Sequence, residues 1–315
     1  MFSVIIPVHN SGSTIEDCLD SLICQTFKDF EVLLIANGCK DNSVDICQKY
    51  ERADSRFKLF ITDSCNGPSR PRNIGISLAV GEYVVFLDSD DYVEKDMLEE
   101  LQKNFSNHDA VFFGYIVETD NSTEIIIPPE IRESDKHDIT YILHTSNCFG
   151  FTCCKAYKTV CIKDRRFNEQ ISLFEDEIFT LDVLALCSSI GIINKPFYHY
   201  VKRFDSVSSR KIYNIVSLKD LAFDAWVRYF DGKYPKYLQE ISDKYIDFCR
   251  FYFYENKLSV RLLYKQLLNS KMIKYSSGDS GFSKRVMSGW PYVLIDYIKW
   301  RLGPILKYLY IKPRR

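Results

Sequence analysis

Three carboxylates, Asp88, Asp90 and Asp91, stand within four residues at the end of the almost wholly apolar run Tyr83 to Leu87. Such a run of β-branched and aromatic residues reads as a strand buried on both faces. Clustered acids at the exit of a buried strand are costly unless a cation sits beside them. A hard divalent ion, Mg²⁺ or Mn²⁺, meets that need, because it takes carboxylate oxygens and shares them with substrate phosphates. The plainer alternative is an acidic strand-to-helix turn, with Asp91 capping a helix that continues through Met97 and Leu101.

A second acidic cluster, Glu175-Asp176-Glu177, falls at an expected helix start. Acids there interact favourably with the helix dipole and cap free N–H groups. The functional alternative is a general base, worth about 10²–10⁴ in rate when it reaches the proton it abstracts. Lys202, Arg203 and Arg210, interleaved with Ser206, Ser208 and Ser209, suit a diphosphate, which takes cations and hydrogen-bond donors. An ordinary solvated basic loop reads the same way, and so does the pair Arg70 and Arg72 at another helix start. The five histidines are dispersed. His9 and His199 fall near these segments, where packing or surface roles are the ordinary expectation.

The elements that must position these groups alternate. Phe2–Val8 reads as a strand, and Ser13-Thr-Ile-Glu16 as a capping box opening a helix. Glu31–Ile35 is a second strand, and a second helix runs from Asp41-Asn-Ser43 to about Ala53. Phe57–Ile61 is a third strand, and Ser69 caps a helix with Pro71 in its first turn. Tyr83–Leu87 is the fourth strand. This order predicts an α/β domain built on a doubly wound, mainly parallel sheet. Ligands of such sheets bind outside the carboxyl ends of the strands, so Val8-His9-Asn10, Ala36-Asn37-Gly38 and Asp88-Ser89-Asp90 should share one crevice. Ala110–Val117 and Thr123–Ile127 read as strands, and Pro128–Asp138 as an irregular loop. Residues 139–170 show no clean period. A helix begins near Glu175, and two short strands, Ile190–Ile193 and Phe197–Val201, flank Lys195-Pro196. From Tyr213 to Met272 the pattern is helical and aromatic, and Ser276–Ser283 is a Gly/Ser boundary.

The 315 residues, 46% hydrophobic, suffice for one large domain or two smaller ones. A net charge of −1 carries no nucleic-acid footprint. The average hides an asymmetry: residues 284–315 hold eight Lys or Arg and one acid, a net +7 that leaves −8 on the rest. Eleven scattered cysteines with no Cys-x-x-Cys argue against a disulfide framework or a zinc site and for a reducing cytosol. The chain opens on a strand rather than a signal peptide. No apolar run approaches the roughly 18 residues of a spanning helix.

Several segments resemble the family 2 inverting glycosyltransferases, whose fold is the nucleotide-diphospho-sugar transferase fold GT-A. They are Ser3-Val-Ile-Ile-Pro-Val-His-Asn10, Cys18-Leu-Asp-Ser-Leu-Ile-Cys-Gln-Thr26, Asp29-Phe-Glu-Val32, Asp41-Asn-Ser43, Arg72-Asn-Ile-Gly75 and Gly81 to Asp91. Phe174-Glu-Asp176 and the pattern Tyr198, Tyr200, Arg203, Ser206, Ser208 follow in the family's order. The likeness covers roughly residues 1–210 and rests on the ordered set rather than on one motif. It implies that Asp90 is a metal ligand and Asp88 the nearby ribose or metal contact. Pro7, Val8, His9, Asn10, Asn37 and Arg72 would surround the nucleotide base. Asp176 would be the catalytic base, and Arg203, Ser206 and Ser208 would hold the diphosphate of a nucleotide-sugar donor.

One departure stands out. The family has two acids where this chain has Ala36-Asn37, the second normally accepting a hydrogen bond from uracil. Asn37 keeps a carbonyl acceptor and adds a donor. A UDP-sugar remains the first expectation, transferred to a glycan or lipid-linked saccharide. Three regions are expected: a glycosyltransferase domain over 1–210, a helical extension over 211–283, and a basic, aromatic amphipathic tail over 284–315. The tail suits the headgroup region of an anionic bilayer, on the inner face of a cytoplasmic membrane, or a helix packing its aromatics on the domain. Two competing readings keep the fold. A non-catalytic nucleotide-sugar or glycan binder fits the drift at Ala36-Asn37 but not the retained Asp88, Asp90, Asp176 and Arg203. Nucleotidyl transfer calls for a cationic Gly-rich loop after the first strand, and His9-Asn-Ser-Gly-Ser13 has no such cation.

Overall fold

The computed structural model describes residues 1–63, 67–131, 134–171, 173–203, 212–276 and 281–289, together with 293, 296, 297 and 300. The first unit, Met1–Val207, is built on one sheet. Its elements run β1 (Phe2–Val8), α1 (Ile15–Ile23), β2 (Phe30–Asn37), α2 (Ser43–Ala53), β3 (Phe57–Thr62), α3 (Ser69–Leu78), β4 (Tyr83–Phe86), β5 (Tyr92–Val93) and α4 (Met97–Asn104). They continue with β6 (Ala110–Thr119), β7 (Ser122–Ile126), α5 (Lys136–Thr145), a 3₁₀ turn (Thr152–Cys154), β8 (Lys155–Lys158), α6 (Thr159–Ile162), α7 (Glu175–Leu184) and β9 (Ile190–Val201).

The strand order is β3-β2-β1-β4-β8-β6-β9-β5, with β7 pairing Tyr115–Thr119 of β6, beyond the Ala110–Phe112 stretch that pairs with β8. β3, β2, β1 and β4 are parallel, and β1, β2 and β4 carry the near-continuous apolar runs of buried parallel strands. Every residue of β2 and of β4 is buried. β8 runs antiparallel to β4 and β6, and β5 runs antiparallel to β9. The sheet is thus mixed but mostly parallel, and one of its faces holds the core around Phe2, Val4, Leu34, Val85 and Leu101.

The local corrections have simple causes. The first helix starts at Ile15, and the hydroxyl of Thr14 bonds the carbonyls of Ser11 and Ser89 instead of capping the helix. Ser69 is the first residue of α3 rather than its cap, which is Pro68. A helix enters the expected loop at Lys136, because Asp135 accepts from the backbone of His137 and Asp138. The two expected strands around Lys195-Pro196 are one strand, β9, with register shifts against β6 at Phe113, Gly114 and Tyr115. A bulge absorbs the proline, which has no N–H for the ladder. Asp91 caps no helix. The next helix, α4, begins at Met97 behind Asp96.

The second unit, Ser208–Arg315, is helical: α8 (Ile215–Phe230), α9 (Pro235–Glu255), α10 (Val260–Leu268), α11 (Met272–Tyr275) and α12 (Gly281–Ser288). Trp226 is fully buried and donates its indole N–H to Tyr245 at 2.9 Å. The described part of the tail packs within this unit. Val286 and Val293 are buried, Asp296 pairs with Arg250 and Arg285, and Trp300 lies 5.1 Å from the ring of Tyr254. Among the described residues no helix is long and apolar enough to cross a membrane.

Candidate active site

The loops that follow β1, β2 and β4 are tied together by short polar side chains. Ser11 and Ser89 share a hydrogen bond of 2.6 Å, Ser11 N–H donates to Ser43 Oγ, and Gly12 N–H donates to Asp41. His9 Nδ1 lies 2.6 Å from the carbonyl oxygen of Asn37. Asn10, with a left-handed φ of 52°, accepts from Lys40 N–H at 2.8 Å. The strand-exit positions read from the sequence therefore converge at one end of the sheet, as the topology demands.

Arg72 enters that end from α3. Gly75, one turn later, explains the close approach: a Cβ there would stand 2.3 Å from Ile5 Cγ2. A larger residue would push α3 off β1 at a cost of about 1–3 kcal/mol and withdraw Arg72. Asn73 fastens the same helix to the chain before α7, exchanging hydrogen bonds with both backbone groups of Phe167. Arg72 is buried, donates to Asp88 Oδ1 at 2.9 Å and stands 3.6 Å from Glu175. Burial opposes its charge, but Asp88, the neighbouring Cys153 and Glu175 hold its pKa raised. Its Nε is enclosed and makes no hydrogen bond.

Asp88 is held on both oxygens, since the thiol of Cys153 donates to Oδ2 at 3.2 Å. Asp90 differs. It is exposed, and Arg203 donates to its backbone carbonyl at 3.2 Å. Partial desolvation, then the charge of Asp88, raises the Asp90 carboxyl. Asp91 turns inward, accepts from Tyr198 OH, and accepts from Val201 N–H at 2.9 Å. Burial, then Asp88 and Asp90, push it up to about 8. Asp91 thus joins the acidic turn to the end of β9, two residues before Arg203.

Asp176 comes from the first turn of α7. Phe174 precedes it in the left-handed region, at φ 65°, a strained conformation of the kind that gathers at functional sites. The carboxylate of Asp176 accepts from Glu177 N–H at 2.8 Å. Burial, then Glu175, push Asp176 up to about 7, while Lys155 and Arg72 pull the other way. A carboxylate tuned near neutrality suits proton abstraction at neutral pH.

Arg72, Asp88, Asp91, Glu175, Asp176 and Tyr198 line one cleft that is open to solvent. Pro7, Val8, His9, Asn10 and Asn37 lie at the neighbouring strand exits and do not line it, and neither do Asp90 and Arg203. Ser206 and Ser208 fall outside the described residues. The cleft also contains Tyr115, Phe151, Thr152, Cys153 and Cys154, none of which had a sequence motif to mark it. Tyr198 and Tyr200 had one, the Tyr-x-Tyr pattern.

Among the described residues no three His, Cys, Asp or Glu side chains form a ready metal cage. The chemistry of the donor set still fits a hard divalent cation. Asp88 and Asp90 offer only oxygen, and their like charges raise the neighbouring carboxyl of Asp91. Asp90 is the more exposed of the two.

Residues 3–164 match the family described as Glycosyl transferase family 2. Glycosyltransferase GlyG of Streptococcus pneumoniae is 28% identical over 222 residues, 66% of this chain and 72% of that protein. The cholesterol galactosyltransferase of Borreliella burgdorferi is 31% identical over 221 residues, 66% of this chain and 62% of that protein. The poly(ribitol-phosphate) beta-N-acetylglucosaminyltransferase TarS of Staphylococcus aureus is 27% identical over 64% of this chain, and the match spans only 35% of TarS. The structure of TarS 1–349 with UDP-GlcNAc superposes with a TM-score of 0.76 at 21% identity, covering 96% of this chain and 92% of that one. The mannosyltransferase PcManGT of Pyrobaculum calidifontis, solved with GDP-Man and Mn²⁺, gives 0.52 at 14% identity, covering 95% and 86%. These two likenesses bear on the fold alone. The family match spans just over half of the chain, which therefore belongs to glycosyl transferase family 2 and is a glycosyltransferase of GT-A fold.

Proposed function

We propose that the protein is a metal-dependent, inverting glycosyltransferase acting on a nucleotide-diphosphate sugar, with a UDP-sugar as the first choice. The observation that carries this reading is the presence in one cleft of the Arg72–Asp88 pair and of Asp176, a carboxylate raised to about 7. The acceptor is a hydroxyl of a glycan or lipid-linked saccharide, in assembly of a surface polysaccharide. TarS structures that hold UDP-GlcNAc and UDP support the choice of nucleotide. The Mn²⁺ of PcManGT supports the cation.

In this reading Pro7, Val8, His9, Asn10 and Asn37 flank the base, and Asn37 presents a carbonyl in place of the family's acid. The buried, unpartnered Nε of Arg72 is a donor in want of an acceptor and suits the nucleotide side of the cleft. Arg203, with Ser206 and Ser208, holds the diphosphate. Asp176 takes the proton of the acceptor hydroxyl. That oxygen bonds to the anomeric carbon from the face opposite the nucleotide, the bond to the phosphate oxygen breaks, and the configuration inverts. Mn²⁺ or Mg²⁺, held by Asp90 with Asp88, supplies positive charge for the departing nucleoside diphosphate. The +7 tail favours an anionic lipid surface that carries the acceptor.

The test is nucleoside-diphosphate release from a panel of nucleotide sugars with and without Mn²⁺, for the wild-type protein, D90A and D176N. The expected outcome is cation-dependent turnover that both variants lose. Normal transfer by both variants would refute the site assignment.

A further inference from the structure

The chain between α5 and β8 contributes a wall of the cleft that the transfer described above leaves without a role. Phe151, Thr152, Cys153 and Cys154 all line the cleft that holds Asp88 and Asp176. Thr152 is 3% exposed, and its hydroxyl oxygen is enclosed without a hydrogen-bond partner. A hydroxyl buried in that state loses its water contacts with nothing to offset the loss, whereas valine would fill the same space at no such cost.

The wall is also braced. Lys155, the first residue of β8, is fully buried and donates to the carbonyls of Phe149, at 2.6 Å, and Phe151. Its ammonium lies 5.3 Å from the ring centres of both Phe112 and Phe149. Among the described residues no carboxylate comes within ion-pair distance of it. A buried lysine spent on two backbone carbonyls fixes the turn that presents Phe151 and Thr152. Phe151 leans on Tyr115 and Tyr200, with ring centres 5.3 and 5.5 Å away, and these three rings line the same cleft as Thr152.

Ring hydroxyls, each both donor and acceptor, are the polar groups that sugar transfer brings into such a cleft. We infer that Thr152 is a specificity-determining residue whose Oγ1 hydrogen-bonds a ring hydroxyl of a sugar bound beside Asp176, on a turn held by Lys155. The inference rests on the glycosyl-transfer reading and names a contact which that reading does not require. A hydroxyl of the transferred sugar and one of the accepting saccharide offer the same chemistry, and kinetics separate them.

The experiment compares wild type, T152V and T152S in steady-state transfer with the nucleotide sugar that the wild-type protein turns over, with separate KM values for donor and acceptor. UDP binding and thermal melting are measured in parallel. T152V is expected to lose about tenfold or more in kcat/KM, to keep its affinity for UDP, and to melt no lower than wild type, since it removes an unpaired buried hydroxyl. T152S should recover most of the loss. A rise confined to the donor KM assigns the contact to the transferred sugar, and one confined to the acceptor KM assigns it to the accepting saccharide. Full activity in T152V overturns the inference. So does a loss that tracks a Tm lowered by several degrees, which would mark a packing residue. Absence of turnover by the wild-type protein across the donor panel would overturn the transfer reading, and this inference with it.

Discussion

Replacing Glu175 by Gln should make the enzyme more active in acid. Asp176 stands near a pKa of about 7 because it is buried and because Glu175 adds a second negative charge next to it. Only the ionised form of Asp176 can take a proton, so kcat should fall as pH drops through that value. At pH 6 about a tenth of the molecules would carry a working base. Glu175 is itself buried and partly offset by Arg72 at 3.6 Å, so its full charge is not felt. Removing it should lower the Asp176 pKa by about one unit, equivalent to ~1.4 kcal/mol. Activity at pH 6 would then rise from about a tenth to about half of the plateau. Arg72 keeps its 2.9 Å bond to Asp88, so nucleotide affinity should hold. The assay is kcat against pH from about 5.5 to 8.5 with both substrates saturating. An acid limb that stays put or moves upward in E175Q would refute the electrostatic reasoning.

Lys155→Met should do the opposite. The ammonium lowers the Asp176 pKa, so its loss should move the acid limb of kcat upward by about half a unit or more, with an unmoved limb counting against it. Asp91→Ala, which unties the acidic turn from Tyr198 and Val201, should raise the donor KM and the Mn²⁺ requirement several-fold; unchanged values would show that Asp91 positions nothing.

The parallel half of the sheet was legible because β1, β2 and β4 are buried on both faces and therefore continuously apolar. The antiparallel half was not. β8 has four residues between a 3₁₀ turn and a short helix, too few to show a period, and its position beside β4 comes from tertiary pairing. The acidic groups of the site were readable, because strand exits of an α/β sheet are predictable places. Asp91 was misplaced for a local reason: three acids within four residues before a helical pattern look like a cap, and Tyr198 and Val201, 107 and 110 residues away in sequence, turn it inward. Thr152 and Lys155 gave no signal at all, since an unpaired hydroxyl and a carbonyl-bound lysine are properties of packing.

The most direct test of the central claim is nucleoside-diphosphate release and sugar transfer by the D176N protein, set against its nucleotide affinity. Glycosyl transfer with Asp176 as the base predicts a kcat lower by about 10²–10⁴, with Mn²⁺-dependent binding of the donor nucleotide intact. Transfer at the wild-type rate by a folded D176N protein would contradict it.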